Sequence, residues 1–358
     1  MVSLKKESIG LVVTCCVAVA FGLAFNAFNA PAPYLLGSLF GVWLSGALIR
    51  PLGRIMAVPR WVHVPIILGL GVLIGGMFSP EVLESALSWM PTVLAMLVIT
   101  VIATITGFLF LTRLRGYDKT LALLCCLPGG QAEIILLSRN WVEKDYVVAL
   151  CHLVRVTMVL CLTPLILLLV EGEAAVALSN EMLLNMPGVL SLSVSTLIQF
   201  VGTAAAGYGI ARFIRLPIPH LLGPMLLSIG LHVSGIIDVP RISEFIVAVQ
   251  LVIGGAIGAR LARVQARELT VYILDAIANA LILISIFVVA VYLLSRVMPF
   301  EFLNLLLAFI PGGIYEVTLL SLLFGFDVAY VAFHHAIRVL LVFFALPLFI
   351  TPKITKSG

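Results

Sequence analysis

Two phrases in the chain set a carboxylate three residues beyond a Pro-Gly-Gly: "LPGGQAEI" from Leu127 and "IPGGIYEV" from Ile310. Each is followed by a histidine and an arginine three apart, His152 with Arg155 and His335 with Arg338. All of these residues lie in or beside long apolar runs. Pro128 and Pro311 lack an N–H and stop an incoming helix. Gly129, Gly130, Gly312 and Gly313 permit a tight reversal and close approach of another group. A second half-helix then starts with unsatisfied N–H groups and partial positive charge, an end suited to an anion. Glu133 and Glu316 fall in the first turn of these half-helices. They would cap their own N–H groups or pair with an arginine, or bind a coupling proton, a cation or a cationic part of a solute.

At (i, i+3) spacing, His152 and Arg155 share one helix face, as do His335 and Arg338. An arginine inside an apolar span needs a partner. Glu133 and Glu316, or a substrate carboxylate, are the candidates. The histidines taken alone read as buried, hydrogen-bonded residues. His334 has no counterpart in the other copy, where Cys151 stands, and ranks below His335. Asp275, with Asn279 four residues on, is an acid in a long span outside these phrases. Thr92 takes its place in the other copy, so it breaks the symmetry; it suits a coupling proton or Na⁺, or a solvated position near the cytoplasmic face. The six cysteines form no Cys-x-x-Cys pair and read as small buried hydrophobes. No metal set and no cofactor are expected.

The elements that must position these groups are membrane spans. The 358 residues are 62% hydrophobic and only 11% charged, with mean hydropathy +1.21. A soluble domain carries roughly 25% charged residues. The apolar runs are continuous and of helix-spanning length, unlike the alternation of a barrel strand. The N-terminal stretch, with Lys5 and Lys6 before an apolar core, looks like a signal peptide and is read as a retained first helix.

A shift of 183 residues superposes the two phrases without a gap. It makes 14 of the 37 positions from Pro128 to Pro164 identical to their counterparts. "PYLLGSL" from Pro33 matches "PHLLGPM" from Pro219, and "GVLIGGMF" from Gly71 loosely matches "GGAIGARL" from Gly254. The chain is therefore a duplication, residues 1–175 and 186–358. Each copy has five apolar spans plus the broken segment, at 9–29, 34–50, 61–78, 86–112 and 146–169, then 190–211, 219–237, 243–260, 269–296 and 328–350.

Charge decides the orientation, because cytoplasmic loops hold the Lys and Arg. With the broken segments re-entrant and the N-terminus inside, 17 basic residues lie inside and two outside. With crossing segments the split is 12 to 7. The expected fold is thus an all-α polytopic membrane protein of two inverted repeats, each with five transmembrane helices and a Pro-Gly-Gly re-entrant hairpin. Both termini are cytoplasmic, in the cytoplasmic (inner) membrane. Inverted repeats with broken helices are the architecture of secondary transporters.

At "LPGGQAEI", "IPGGIYEV" and the two "LLG" phrases the chain resembles the AbrB-like membrane protein family, also labelled an ammonia monooxygenase family. The resemblance covers both copies and implies a duplicated membrane domain; its names imply a regulator or an oxidase. A monooxygenase would need a cluster of His and carboxylate ligands, which six scattered histidines do not supply. A nucleic-acid-binding regulator would need an exposed basic element, and the basic residues here are explained by topology. A membrane-embedded sensor without transport stays open. The expected function is a non-enzymatic, ion-coupled carrier of a small, anionic organic solute by alternating access at the two hairpins. Its expected partners are that solute, H⁺ or Na⁺ and the lipid bilayer, with no nucleic acid; a homodimer is left open.

Overall fold

The computed structural model describes residues 2–264 and 266–349. Lys353, Lys356 and the C-terminus, counted above on the cytoplasmic side, lie outside the described residues. Fourteen helices carry the architecture among these residues, and no strand is found in them. Seven belong to the first copy: α1 (Val2–Ala27), α2 (Pro33–Leu48), α3 (Arg60–Gly75), α4 (Met90–Leu109), α5 (Lys119–Cys126), α6 (Gln131–Ser138) and α7 (Asp145–Leu184). Seven belong to the second: α8 (Val194–Phe213), α9 (Pro219–Val233), α10 (Ser243–Ala262), α11 (Ala266–Leu294), α12 (Phe302–Phe309), α13 (Ile314–Phe324) and α14 (Val328–Phe349). A helix thus lies at each of the ten expected spans, and a pair of short ones at each Pro-Gly-Gly.

Among the described residues, seven helical segments are long and apolar enough to cross a membrane, which makes this a multi-pass membrane protein. Helices α2, α3 and α9 are shorter, at 15 or 16 residues; at 1.5 Å per residue they reach about 24 Å. The α7 stretch is broken at Gly172, whose φ of 81° lies in the left-handed region. That break falls where the first copy was expected to end.

The chain forms two compact units, and neither is one copy. The first takes residues 2–83, 161–264 and 318–329. In it α2 packs on α10 and α3 on α9, while α1 lies along α2 and α8 along α9. The two cross-copy pairings use equivalent glycines. A Cβ on Gly258 of α10 would come within 2.5 Å of the Leu39 carbonyl of α2, and one on Gly75 of α3 within 2.5 Å of the Met225 carbonyl of α9. These backbones meet because nothing stands between them. Ala18, Val42, Met56 and Ala259 form a buried apolar cluster in this unit. The residues ahead of α2 and α9, Ala32 and Ile218, both adopt left-handed backbone at φ 46°. That conformation is costly for a β-branched residue, so its recurrence shows how tightly the start of each helix is held.

The second unit takes residues 84–160, 266–317 and 330–349. Here α4 packs on α11, α5 on α4, and α12 on α11. A 3₁₀ turn, Ala86–Trp89, leads into α4, and a π-helical turn, Phe110–Leu114, ends it. Both Pro-Gly-Gly segments lie in this unit.

Candidate functional site

The first broken segment starts at Asp118, whose carboxylate accepts from the N–H groups of Thr120 (2.9 Å) and Leu121 (3.3 Å). That is a conventional N-cap. Helix α5 runs to Cys126, and the chain turns through Pro128, Gly129 (φ 97°) and Gly130 (φ 60°) into α6. In the second segment α12 ends at Phe309, and Gly312 N–H bonds the Ile310 carbonyl at 2.8 Å before α13 begins. Neither Gly312 nor Gly313 has a positive φ. Identical Pro-Gly-Gly phrases thus take different backbone. At the first tip glycine is needed for conformation. At the second it is needed for space: a Cβ on Gly312 would meet Val317 and stand 3.0 Å from Val159, and one on Gly313 would meet the Glu316 carboxylate.

The arginines hold the incoming half-helices. Arg155, 2% exposed, donates from Nη2 to the Leu127 carbonyl (2.9 Å) and from Nη1 to those of Cys125 and Cys126 (both 3.5 Å). Arg338, fully buried, donates from Nη1 to Phe309 (2.8 Å) and Ile310 (3.1 Å) and from Nη2 to Gly312 (3.3 Å). These are the carbonyls that the end of a helix leaves unsatisfied, at its negative pole. Each guanidinium therefore caps the half-helix of its own copy. Backbone oxygen, a partner that the sequence reading did not name, thus holds each guanidinium.

The histidines complete the cap. Nε2 of His152 donates to the Leu124 carbonyl and Nε2 of His335 to the Leu307 carbonyl, both at 2.9 Å. A carbonyl only accepts, so Nε2 carries the proton and Nδ1 is left as an acceptor. It receives Nη2–H of Arg155 at 2.9 Å and of Arg338 at 2.8 Å. The His-x-x-Arg spacing is thus explained residue by residue.

Contacts across the copies lie at the tips. Gln131 Nε2, at the start of α6, donates to Glu316 Oε1 in the first turn of α13 at 3.3 Å. A Cβ on Gly129 would stand 3.6 Å from Arg338 Nε and from Val339 of α14. Gly312 faces Val159 of α7. Each tip therefore rests on the last helix of the other copy. Glu316 is 2% exposed, whereas Glu133 is half-buried and lines a small cleft with Gly130, Ile134, Leu137, Val339, Val342 and Phe343.

Asp275 faces the loop ahead of α5, and Asn279 faces the end of α5. The buried Asp275 carboxylate is ion-paired with Arg115 and accepts from the Tyr117 hydroxyl at 3.1 Å. Burial and that carboxylate raise the Tyr117 pKa, so its hydroxyl stays protonated and donates. Asn279 Oδ1 accepts from Cys126 Sγ at 3.7 Å. The pairing of Thr92 with His334, Oγ1 to Nε2 at 2.9 Å, was not foreseen. Its signal lies in the 183-residue shift, which carries Thr92 onto Asp275 and Cys151 onto His334. Both members of the pair thus have a residue of another type in the other copy. Among the described residues no group of three or more His, Cys, Asp or Glu could hold a metal ion.

A helical, multi-pass membrane protein with paired broken segments is the class these features define. The family model described as "Transition state regulatory protein AbrB" matches residues 39–352, and the chain belongs to that family. It is similar to "Uncharacterized protein YhjN" of Bacillus subtilis (strain 168), 24% identical over 91% of each chain. It is also similar to "Putative regulator AbrB" of Escherichia coli (strain K12), 25% identical over 86% of each.

Proposed function

We propose that the protein is a secondary transporter of a small, anionic organic solute, coupled to H⁺ or Na⁺, in the cytoplasmic membrane. Its architecture is two inverted repeats, each of five spans and a re-entrant hairpin, with both termini cytoplasmic. The observation that carries this reading is the reciprocal seating of the tips: Gly129 against Arg338 and Val339, Gly312 against Val159. Broken backbone at membrane depth is tolerated where protein buries it or a cavity needs it. The equivalent pairings α2–α10 and α3–α9 support a two-fold relation between the copies. With the arginines committed to carbonyls, preference for an anion rests on the α6 and α13 N-termini rather than on the whole guanidinium groups. Neither catalysis nor a cofactor is part of the proposal.

The test is uptake of radiolabelled small carboxylates and phosphates into vesicles containing the purified protein, with and without a pH or Na⁺ gradient. Gradient-dependent uptake above that of empty vesicles supports the carrier. Absence of uptake for the whole series contradicts it. A regulatory role is favoured by the family description and by the name of the Escherichia coli relative. It would place the same hairpins in a membrane sensor that binds without flux.

A further inference from the structure

We propose that one end of the first unit is a binding site for an anionic phospholipid, whose phosphate is held by arginines and whose acyl chains lie on exposed apolar side chains. The proposal goes beyond the carrier reading and stands whether the hairpins transport a solute or only bind one.

The helices of this unit bring their basic ends together. Helices α2 and α10 run in the same direction, since Gly254 and Gly258 face the carbonyls of Leu35 and Leu39 in turn. The two helices therefore end side by side, where a Cβ on Gly46 would stand 2.7 Å from the Ala262 Cβ. Helices α3 and α9 also run together, Gly71 facing Leu221 and Gly75 facing Met225. Just past α10, Arg263 Nη2 donates at 2.6 Å to the carbonyl of Met56, in the segment between α2 and α3. Arg60 of α3, Arg260 of α10 and His220 of α9 all bear electrostatically on His63 of α3. Arg50 and Arg54 follow the end of α2, and Arg212 and Arg215 stand at the end of α8. All seven arginines are exposed. Glu7 of α1, whose Gly10 meets the Ile55 carbonyl, is the one acid at this end among the described residues.

Topology explains why loops on one side of a membrane are basic, but it does not dictate what those charges meet. In the second unit Arg115 pairs with Asp275, Arg139 with Asp145 at 3.9 Å, and Lys144 Nζ donates to the Tyr272 hydroxyl at 3.0 Å. Among the described residues none of the seven arginines of the first unit meets a carboxylate. Like charges gathered on one end face repel one another, and a bound anion relieves this. The side chains beside them favour an anion that carries apolar chains. Leu48 and Ile49 precede Arg50, Trp61 follows Arg60, and Phe213 and Ile214 stand between Arg212 and Arg215. Leu48 is 80% exposed, Trp61 54% and Phe213 87%. At the ends of spanning helices these groups lie at headgroup depth, where tryptophan is favoured and basic pockets take anionic lipid. A guanidinium offers two N–H groups to one phosphate, and the neighbouring apolar side chain offers a surface to the acyl chain.

The test is the melting temperature of the purified full-length protein in a non-ionic detergent, titrated with phosphatidylglycerol, with phosphatidylcholine of the same acyl chains, and with inorganic phosphate. A ligand that binds the folded state raises it. Phosphatidylglycerol should raise it saturably, while phosphatidylcholine and phosphate at equal concentration should not. The double variant Arg60→Gln with Arg260→Gln should need at least about tenfold more phosphatidylglycerol for half the effect, since each arginine near an anionic lipid contributes on the order of 1 kcal/mol. Trp61→Ala should also shift the half-point upward. Arg241→Gln, ahead of α10 and so at its opposite end, should leave it unchanged. Each half-point is read against that variant's own lipid-free melting temperature, so a change in basal stability does not obscure it. Equal stabilisation by phosphatidylcholine would mean that the charges play no part, and equal stabilisation by phosphate would mean that the apolar side chains play none. Either result, no stabilisation by phosphatidylglycerol, an unchanged half-point in the arginine double variant or in Trp61→Ala, or an equal loss in Arg241→Gln would overturn the proposal.

Discussion

Arg155 and Arg338 show how a buried residue can have partners that the sequence does not name. An intramembrane arginine suggests a carboxylate, and Glu133 and Glu316 were the acids at hand. The structure gives each guanidinium three backbone carbonyls and a histidine nitrogen. Sequence names side chains, and the open carbonyls of a helix end are not side chains. Arg338→Gln should therefore destabilise the protein by about 3 kcal/mol or more, since hydrogen bonds from a charged donor contribute roughly 1.5–3 kcal/mol each. Thermal melting in detergent would show it. Adding Glu316→Gln should restore none of that loss; recovery would mean the glutamate is the true partner. The Arg115–Asp275 pair predicts the opposite pattern. Arg115→Gln leaves a buried carboxylate beside Tyr117, and Asp275→Asn on top of it should regain much of the stability.

At the scale of elements, the repeat was legible because equal needs kept equal residues. Gly71 and Gly75 of α3, and Gly254 and Gly258 of α10, all face a carbonyl of the opposing helix. Gly258→Val should thus abolish folded protein on size-exclusion chromatography. Gly209→Ala, on the open face of α8 with no atom within 4 Å, should leave the elution unchanged. The tips were legible as turns but not in their backbone. Gly129 is held by conformation, so Gly129→Ala should be destabilising whatever is trimmed around it. Gly312 is held by sterics, so Gly312→Ala should be rescued in part by Val317→Ala, which removes the nearest obstacle. Equal rescue at both tips, read as recovered melting temperature, would contradict this difference. No residue type distinguishes the two tips in the sequence. The difference lies in what packs on them, and that is set by helices far away in the chain.

At the scale of the whole molecule, hydropathy and charge identified a multi-pass helical protein. The 183-residue shift identified the copies. The partition into two units that each draw on both copies was not legible, because it depends on where α7 and α13 pass from one unit to the other. The claim on which the account stands is that the hairpins enter from opposite faces of the membrane. Single cysteines placed at Arg115, Arg139 and Asp327, in a protein stripped of its native cysteines, would be labelled in intact cells by a reagent that does not cross membranes. The account predicts that the Asp327 site reacts from outside, while the Arg115 and Arg139 sites react only after the cells are opened. Labelling of the Arg139 and Arg115 sites from opposite faces would make the first hairpin a crossing helix, the copies parallel, and the account wrong.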